Sequence, residues 1–151
     1  MSKVLLVYAS MTGNTEEMAD LIEKGLQSEE IGVIKNDVLD VTASDIEEYD
    51  AIILGAYTWG EGELPDEFED FYDEMAEMDL TGKTFAVFGS GDTAYEFFCG
   101  AVDLIEARVT EKGGRLILEA LKVELNPEGE DHDRCIAFGV EIAKFLNGLK
   151  S

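Results

Sequence analysis

Three short runs of the sequence, residues 4–8, 51–56 and 85–88, are apolar almost throughout. Runs without a polar side must be covered on both faces, as strands in the middle of a parallel sheet are. Two further strand-like runs, residues 31–39 and 115–118, bring the predicted number of strands to five. This pattern restricts the chain to folds in which helices cover both faces of a mainly parallel sheet.

Helical periodicities lie between these runs, with apolar residues three or four positions apart so that they share one helix face. The four predicted stripes are Met18, Leu21, Ile22, Gly25 and Leu26; Phe68, Phe71, Tyr72 and Met75; Ala101, Leu104, Ile105 and Arg108; and Ile136, Val140, Ala143 and Leu146. No two adjacent strands are joined by a tight hairpin turn. We therefore predict an α/β fold, a doubly wound five-stranded parallel sheet of order 2-1-3-4-5 with helices on both faces. The length favours a single domain over residues 1–151.

The charge of the chain restricts its partners. Thirty-four acids and eleven bases give a formal net charge of -23, which repels nucleic acid and anionic membranes and favours basic partners. The N-terminal MSKVLLVYAS lacks the pattern of a signal peptide, and no later run is long enough for a membrane span. Cys99 and Cys135 are too far apart for a CxxC pair. We expect a cytoplasmic monomer with reduced thiols.

In the predicted strand order, ligands bind at the carboxyl ends of strands 1, 3 and 4. The loop after strand 1, SMTGNT at residues 10–15, offers hydroxyls, an amide and a glycine at the start of a helix. Helix N-terminal N–H groups and the helix dipole favour an anion such as phosphate. The loop lacks the lysine of GxxxxGK[ST], and GxGxxG is absent, which argues against a nucleoside triphosphate. The alternative is that Asn14 and Glu17 only cap the helix.

The other two loops carry aromatic residues. TWGEGE, at residues 58–63, contains the only tryptophan, Trp59, and SGDTAYEFFCG, at residues 90–100, contains Tyr95. A lone tryptophan usually belongs to a core or an interface, and Tyr95 or Phe98 could also pack into the core. Here Trp59 follows the end of a strand in a polar loop, where a flat ligand would cover it. Together the loops suit a flat heteroaromatic ring with a phosphorylated tail.

In these loops the chain resembles the flavodoxin family. SMTGNT is similar to the phosphate loop of that family, TWGEGELPDEF to its first flavin loop, and GSGDTAYEFFCGAVD to its second. The region 115–125 has no room for the insertion of long-chain members, so the resemblance is to the short-chain bacterial branch. It covers the whole chain and implies a flavodoxin-like fold.

The resemblance implies that FMN binds non-covalently. Its phosphate is expected on the first loop, at Ser10, Met11, Thr12, Gly13, Asn14 and Thr15. The isoalloxazine ring is expected between Trp59 and Tyr95, with Asp92 and the backbone near Gly91 at its pyrimidine edge or polar tail. The remaining predicted contacts are Thr58, Gly60 and Glu61 along the edge that bears N5, Phe98 and Cys99 near the dimethylbenzene ring, and Ser90, at a position where family members vary.

The family resemblance also implies a function without catalytic or metal-binding residues. It predicts a low-potential one-electron carrier between a flavodoxin or ferredoxin reductase and basic-surfaced acceptor proteins, cycling mainly between semiquinone and hydroquinone. An FMN-dependent NAD(P)H:quinone or flavin reductase is the alternative, although the chain has no evident nicotinamide pocket. A receiver-type signalling domain would need acids where the chain has Ala9-Ser10 and Ala56-Tyr57. The only histidine, His132, is predicted at the surface, which argues against a Ser-His-Asp triad.

Overall fold

The computed structural model describes residues 3–9, 14–49, 51–57, 66–91, 100–124 and 129–148. Its elements, in chain order, are β1 (Lys3–Ala9), α1 (Asn14–Ser28), β2 (Gly32–Asp37), β3 (Ala51–Tyr57), α2 (Asp66–Met75), β4 (Thr84–Gly91), α3 (Gly100–Glu111), β5 (Arg115–Leu116), β6 (Leu121–Glu124) and α4 (Glu130–Gly148). Two short 3-10 helices, Val38–Asp40 and Ala43–Glu48, connect β2 to β3.

The sheet has the strand order β2-β1-β3-β4-β5, and every described strand pair is parallel. The predicted 2-1-3-4-5 order is thus confirmed. The described side chains of β1 and residues 51–56 of β3 are all buried, because helices pack on both faces of these central strands. This burial on both faces explains why these runs of the sequence are apolar almost throughout.

The last strand differs from the prediction. The run at 115–118 forms only the two-residue strand β5, which pairs with Thr84 and Phe85. A separate strand, β6, pairs with residues 88–91 at the carboxyl end of β4. It was not predicted because its sequence, LKVE, alternates apolar and charged residues, so it lacks the continuous apolar character of a central strand.

Two apolar clusters lie on opposite faces of the sheet. One contains buried residues of α2, α3 and the two 3-10 helices, and the other contains buried residues of α1 and α4. The predicted stripe of α2 is correct, since Phe68, Phe71 and Met75 are buried and Tyr72 is half-buried. In α1, likewise, Met18, Ile22 and Leu26 are fully buried.

The predicted stripe of α4 is partly wrong. Cys135, Phe138 and Ile142 are buried, whereas Ile136 and Val140 are only half-buried. The reason is the close contact of α4 with α1: a Cβ at Gly139 would lie 2.2 Å from the carbonyl oxygen of Ile22. Because Gly139 faces the backbone of α1, the buried face of α4 is centred on Gly139 and not on the predicted stripe.

The predicted stripe of α3 is also only partly correct. Ala101 and Ile105 are buried, but Leu104 is 39% exposed, and the buried Val102 and Val109 were not predicted. Arg108 lies on this stripe because its guanidinium reaches α2. Its Nη1 donates to the carbonyl oxygen of Tyr72 at 2.6 Å, and its Cζ lies 3.9 Å from the centre of the Tyr72 ring. A cation–π contact thus joins α3 to α2.

Candidate cofactor site at the carboxyl edge of the sheet

The three predicted loops start from neighbouring strand ends. β1 ends at Ala9, β3 at Tyr57 and β4 at Gly91. Ala9 pairs with Ala56 on one side of β3, and Tyr57 pairs with Ser90 on the other, so the strands end at nearly the same level. The fold therefore brings the starting points of all three loops to one edge of the sheet.

Two of the predicted site residues meet at this edge. The Oγ1 of Thr15, in the first turn of α1, lies 2.9 Å from the Oγ of Ser90, near the end of β4. Apart from tyrosine and cysteine, Thr15 and Ser90 are the only residues with polar side chains that are buried in the part of the chain that the structure describes. Each hydroxyl carries one proton, and the bond between them uses one of the two. The pair thus retains a proton that it can donate to a further acceptor.

The start of α1 provides the second feature of an anion site. The helix begins at Asn14, and the first-turn N–H groups of a helix have no partners within the helix. Hydroxyl donors next to such a terminus have the chemistry of a phosphate site without a basic side chain. The residues present therefore fit the phosphate of the predicted cofactor.

A tyrosine positions one of the acids in the first turn of α1. The hydroxyl of Tyr8 donates to Oε2 of Glu16 at 3.0 Å. Burial, followed by this hydrogen bond, raises the pKa of Tyr8 to about 12. The hydroxyl thus remains protonated at neutral pH and fixes the carboxylate of Glu16.

A second tyrosine contact was not predicted from the sequence. The hydroxyl of Tyr57 lies 3.1 and 3.2 Å from the two carboxylate oxygens of Glu67. Burial and the neighbouring Glu67 raise the pKa of Tyr57 to about 12. The contact joins the end of β3 to the first turn of α2, on either side of residues 58–65. The sequence shows a tyrosine at the end of the predicted strand. It does not show the partner of that tyrosine, because the position of Glu67 depends on the direction of α2.

The other predicted site residues are described only in part. Asn14 begins α1 and Gly91 ends β4. The rest lie outside the described residues: Ser10, Met11, Thr12, Gly13, Thr58, Trp59, Gly60, Glu61, Asp92, Tyr95, Phe98 and Cys99. Their contacts with a cofactor stay predictions.

The histidine and the described cysteine lie on α4, away from the Thr15–Ser90 pair in sequence. The His132 side chain is 46% exposed, in agreement with its predicted surface position. Cys135 is buried, and burial raises its pKa to about 12, so its thiol stays protonated at neutral pH. Within the described ranges, no group of His, Cys, Asp and Glu side chains is arranged to hold a metal ion, and no helix is long and apolar enough to cross a membrane.

Ser90→Ala tests the buried hydroxyl pair. It removes the described partner of the Thr15 hydroxyl, so we expect the free energy of unfolding to fall by about 1–3 kcal/mol. The measurement is urea unfolding of the flavin-free protein. Ser44→Ala is the matched control, because its hydroxyl makes a similar contact of 2.8 Å with Thr42, but at the surface. Its expected effect is about 0.5 kcal/mol or less. Equal losses in the two variants would contradict the importance of the buried pair.

Comparisons with known proteins agree with this geometry. The family model "Flavodoxin" matches residues 6–139. "Probable flavodoxin 2" of Bacillus subtilis (strain 168) is 56% identical over 145 residues, which cover 95% of this chain and 96% of the relative. The flavodoxin of Maridesulfovibrio salexigens is 42% identical over 146 residues, covering 95% of this chain and 98% of the relative.

Solved structures give the same result. The crystal structure of oxidised flavodoxin 1 from Bacillus cereus matches with a TM-score of 0.91 and 52% identity, covering 95% of this chain and 98% of that chain. A short-chain flavodoxin associated with a bacterial microcompartment matches with a TM-score of 0.89 and 35% identity, covering 95% of this chain and 99% of that chain. The likeness thus extends over nearly the full length of both proteins.

Proposed function

Because this chain belongs to the flavodoxin family of non-enzymatic electron-transfer flavoproteins, we propose that its 151 residues form a single domain that binds FMN non-covalently. The observation that carries the proposal is the buried hydroxyl pair of Thr15 and Ser90. Buried polar groups need partners, and this pair joins the first turn of α1 to the end of β4, where the ends of three strands meet.

The contacts proposed for FMN follow from the three loops. The first turn of α1, with Thr15 and the residues before it, would hold the phosphate. Trp59 and Tyr95 would cover the two faces of the ring, and Asp92 would accept hydrogen bonds from its pyrimidine edge. Bound FMN supplies the one-electron chemistry. The protein supplies binding, orientation and the local charge.

The redox cycle is the finer part of the proposal. The carrier would alternate mainly between semiquinone and hydroquinone. Gly60 can rotate its peptide without a Cβ clash, so that its carbonyl could accept a hydrogen bond at N5 after the first reduction. The acids that follow Trp59 would disfavour the negative charge added by the second electron and so give a low potential.

The proposed partners are a flavodoxin or ferredoxin reductase and acceptor proteins with basic surfaces. Support comes from the charge of -23 and from α2, on which Asp66, Glu69, Asp70 and Asp73 are exposed. The α2 acids also form an ordinary solvated helix face, since they alternate with the buried Phe68 and Phe71. A cytoplasmic monomer remains part of the proposal.

A reductive titration tests the proposed function. After incubation with FMN and removal of free flavin, the protein is expected to be yellow and to hold one FMN per chain. Stepwise anaerobic reduction should produce a blue intermediate and then a bleached protein. NADPH alone should leave the yellow spectrum unchanged, whereas bleaching by NADPH would support the reductase alternative. A protein that takes up no FMN would overturn the proposal.

A further inference from the structure

A groove runs along one side of α2. The connection from β2 to β3 crosses this face as two short 3-10 helices, whose buried residues belong to the same apolar cluster as those of α2. Two cavities of about 260 and 230 Å³ remain between this connection and α2, and Glu74 lines both. We call this surface the α2 groove; it is formed by residues 38–47 on one side and 67–78 on the other.

The groove has an exposed apolar part. Leu39 is 73% exposed, compared with 38% for Ile34 and 39% for Leu104, the other exposed large apolar residues of the described chain. Val41 and Phe71 line the same cavity as Leu39, and Met78 lines the other. An apolar residue that covered Leu39 and entered the adjacent cavity would remove this surface from water.

The sides of the groove are acidic. Glu67, Asp70, Glu74 and Glu77 follow each other at spacings of three and four along the chain, and Glu47 faces them from the second 3-10 helix. None of the described residues that line the two cavities is Lys, Arg or His. Within the described ranges, none of the five carboxylates makes an ion pair. A cationic group would therefore find several unneutralised acids beside an apolar surface.

We propose that the α2 groove binds a cationic amphipathic segment of a partner protein. Apolar side chains of the segment cover Leu39 and enter the cavities, and Lys or Arg side chains face the carboxylates. A second copy of this chain is a poor occupant, because each copy carries a charge of -23. This inference rests on the proposed function only in that a carrier must dock to partners.

The α2 groove extends along α2, away from the loops proposed to bind FMN. One cavity lies beside the ends of β2 and the start of α2, at the carboxyl edge, and the other extends to Met78, beyond the far end of α2. A segment bound along it leads away from the ends of β1, β3 and β4. The end of the segment near Met78 would anchor a partner away from the loops proposed to bind FMN.

Peptide titration of the FMN-loaded full chain tests the proposal. The probe is a synthetic helical peptide with leucines on one face and lysines on the other, and the control peptide carries serine in place of each leucine. NMR titration of the 15N-labelled protein should give saturable shifts confined to the described residues of 38–47 and 67–78. The serine peptide should bind about tenfold more weakly. Shifts spread over the whole acidic surface would overturn the proposal.

Matched variants separate the groove from general charge. Leu39→Ser should weaken binding of the leucine peptide about tenfold, and Leu104→Ser, at the exposed leucine of α3, about twofold or less. A second comparison uses two double variants. The variant with Glu74→Gln and Glu77→Gln should weaken peptide binding more than the variant with Glu130→Gln and Glu141→Gln, which changes two exposed acids of α4. Equal losses within either comparison, or a dimer that Leu39→Ser disrupts, would overturn the inference.

The visible spectrum separates this test from that of the proposed function. Leu39→Ser should keep its flavin and its reductive titration, because Leu39 lies in the groove and not among the loop residues proposed to bind FMN. Failure to bind FMN would overturn the proposed function, and the peptide result would still decide the groove. Loss of flavin from Leu39→Ser alone would contradict the separation of groove and cofactor site.

Discussion

Gly25→Ala is expected to lower the free energy of unfolding by about 3 kcal/mol, and Gly139→Ala by a similar amount. A Cβ at Gly25 would lie 2.1 Å from the carbonyl oxygen of Ile136, and one at Gly139 would lie 2.2 Å from the carbonyl oxygen of Ile22. Backbone oxygens cannot rotate away as the end of a side chain can. The methyl group must therefore push α1 and α4 apart and loosen the buried contacts between them.

The measurement is urea unfolding of flavin-free protein, followed by far-UV circular dichroism. Alanine is a better helix former than glycine by about 1 kcal/mol, so a net loss in these two helical positions would show that the steric cost prevails. Gly148→Ala is the matched control at the end of α4, because its Cβ would meet nothing within 4 Å. Its expected effect is about 1 kcal/mol or less in either direction. Equal effects at positions 25, 139 and 148 would contradict the close helix contact.

This helix contact also bears on the site. α1 packs beside α4 on one face of the sheet, and its first turn carries Thr15. Displacing α1 would move the Thr15 hydroxyl relative to Ser90, which is paired with Tyr57 in the sheet. Weakened FMN binding should therefore accompany the loss of stability in both glycine variants.

The central strands were predictable because a strand that is buried on both faces has a nearly continuous run of apolar residues. The predicted run 4–8 is one residue shorter than β1 at each end, and the predicted run 51–56 is one residue shorter than β3 at its carboxyl end. The prediction for β4 ended three residues early, at Phe88, because Gly89, Ser90 and Gly91 lack strand character. Close packing explains why residue 89 is a glycine, since a Cβ at Gly89 would lie 2.4 Å from the carbonyl oxygen of Ala56.

Tertiary contacts decided what the sequence could not predict. The buried face of α4 follows from the contact of Gly139 with α1, which no periodicity within α4 reveals. At the site, the sequence placed Thr15 and Ser90 in segments that follow strands 1 and 4, and the family resemblance made them predicted cofactor contacts. Their mutual hydrogen bond joins residues 75 positions apart, and it depends on the strand order as well as on the position of α1. The partner of Tyr57 was missed for the same reason.

Neutralising Glu61, Glu63 and Asp66 together is expected to raise the second reduction potential by on the order of 100 mV. The second electron leaves a negative charge on the proposed cofactor, and these acids follow Trp59 directly. One unit charge at about 10 Å costs roughly 0.4 kcal/mol in water and about 1.7 kcal/mol at an effective dielectric constant of 20. For one electron, about 1.4 kcal/mol corresponds to roughly 59 mV, so three acids reach this size even after partial screening.

The change is Glu61→Gln, Glu63→Gln and Asp66→Asn, followed by spectroelectrochemistry at low ionic strength. Glu29→Gln, Glu30→Gln and Glu111→Gln is the matched control, because it removes the same net charge at the ends of α1 and α3. Those helix ends lie near the amino edge of the sheet, so the control should shift the potential by about 20 mV or less. Added salt should reduce the difference between the two triple variants. A second potential that stayed unchanged in the first variant would show that local packing, and not the charge of these acids, sets it.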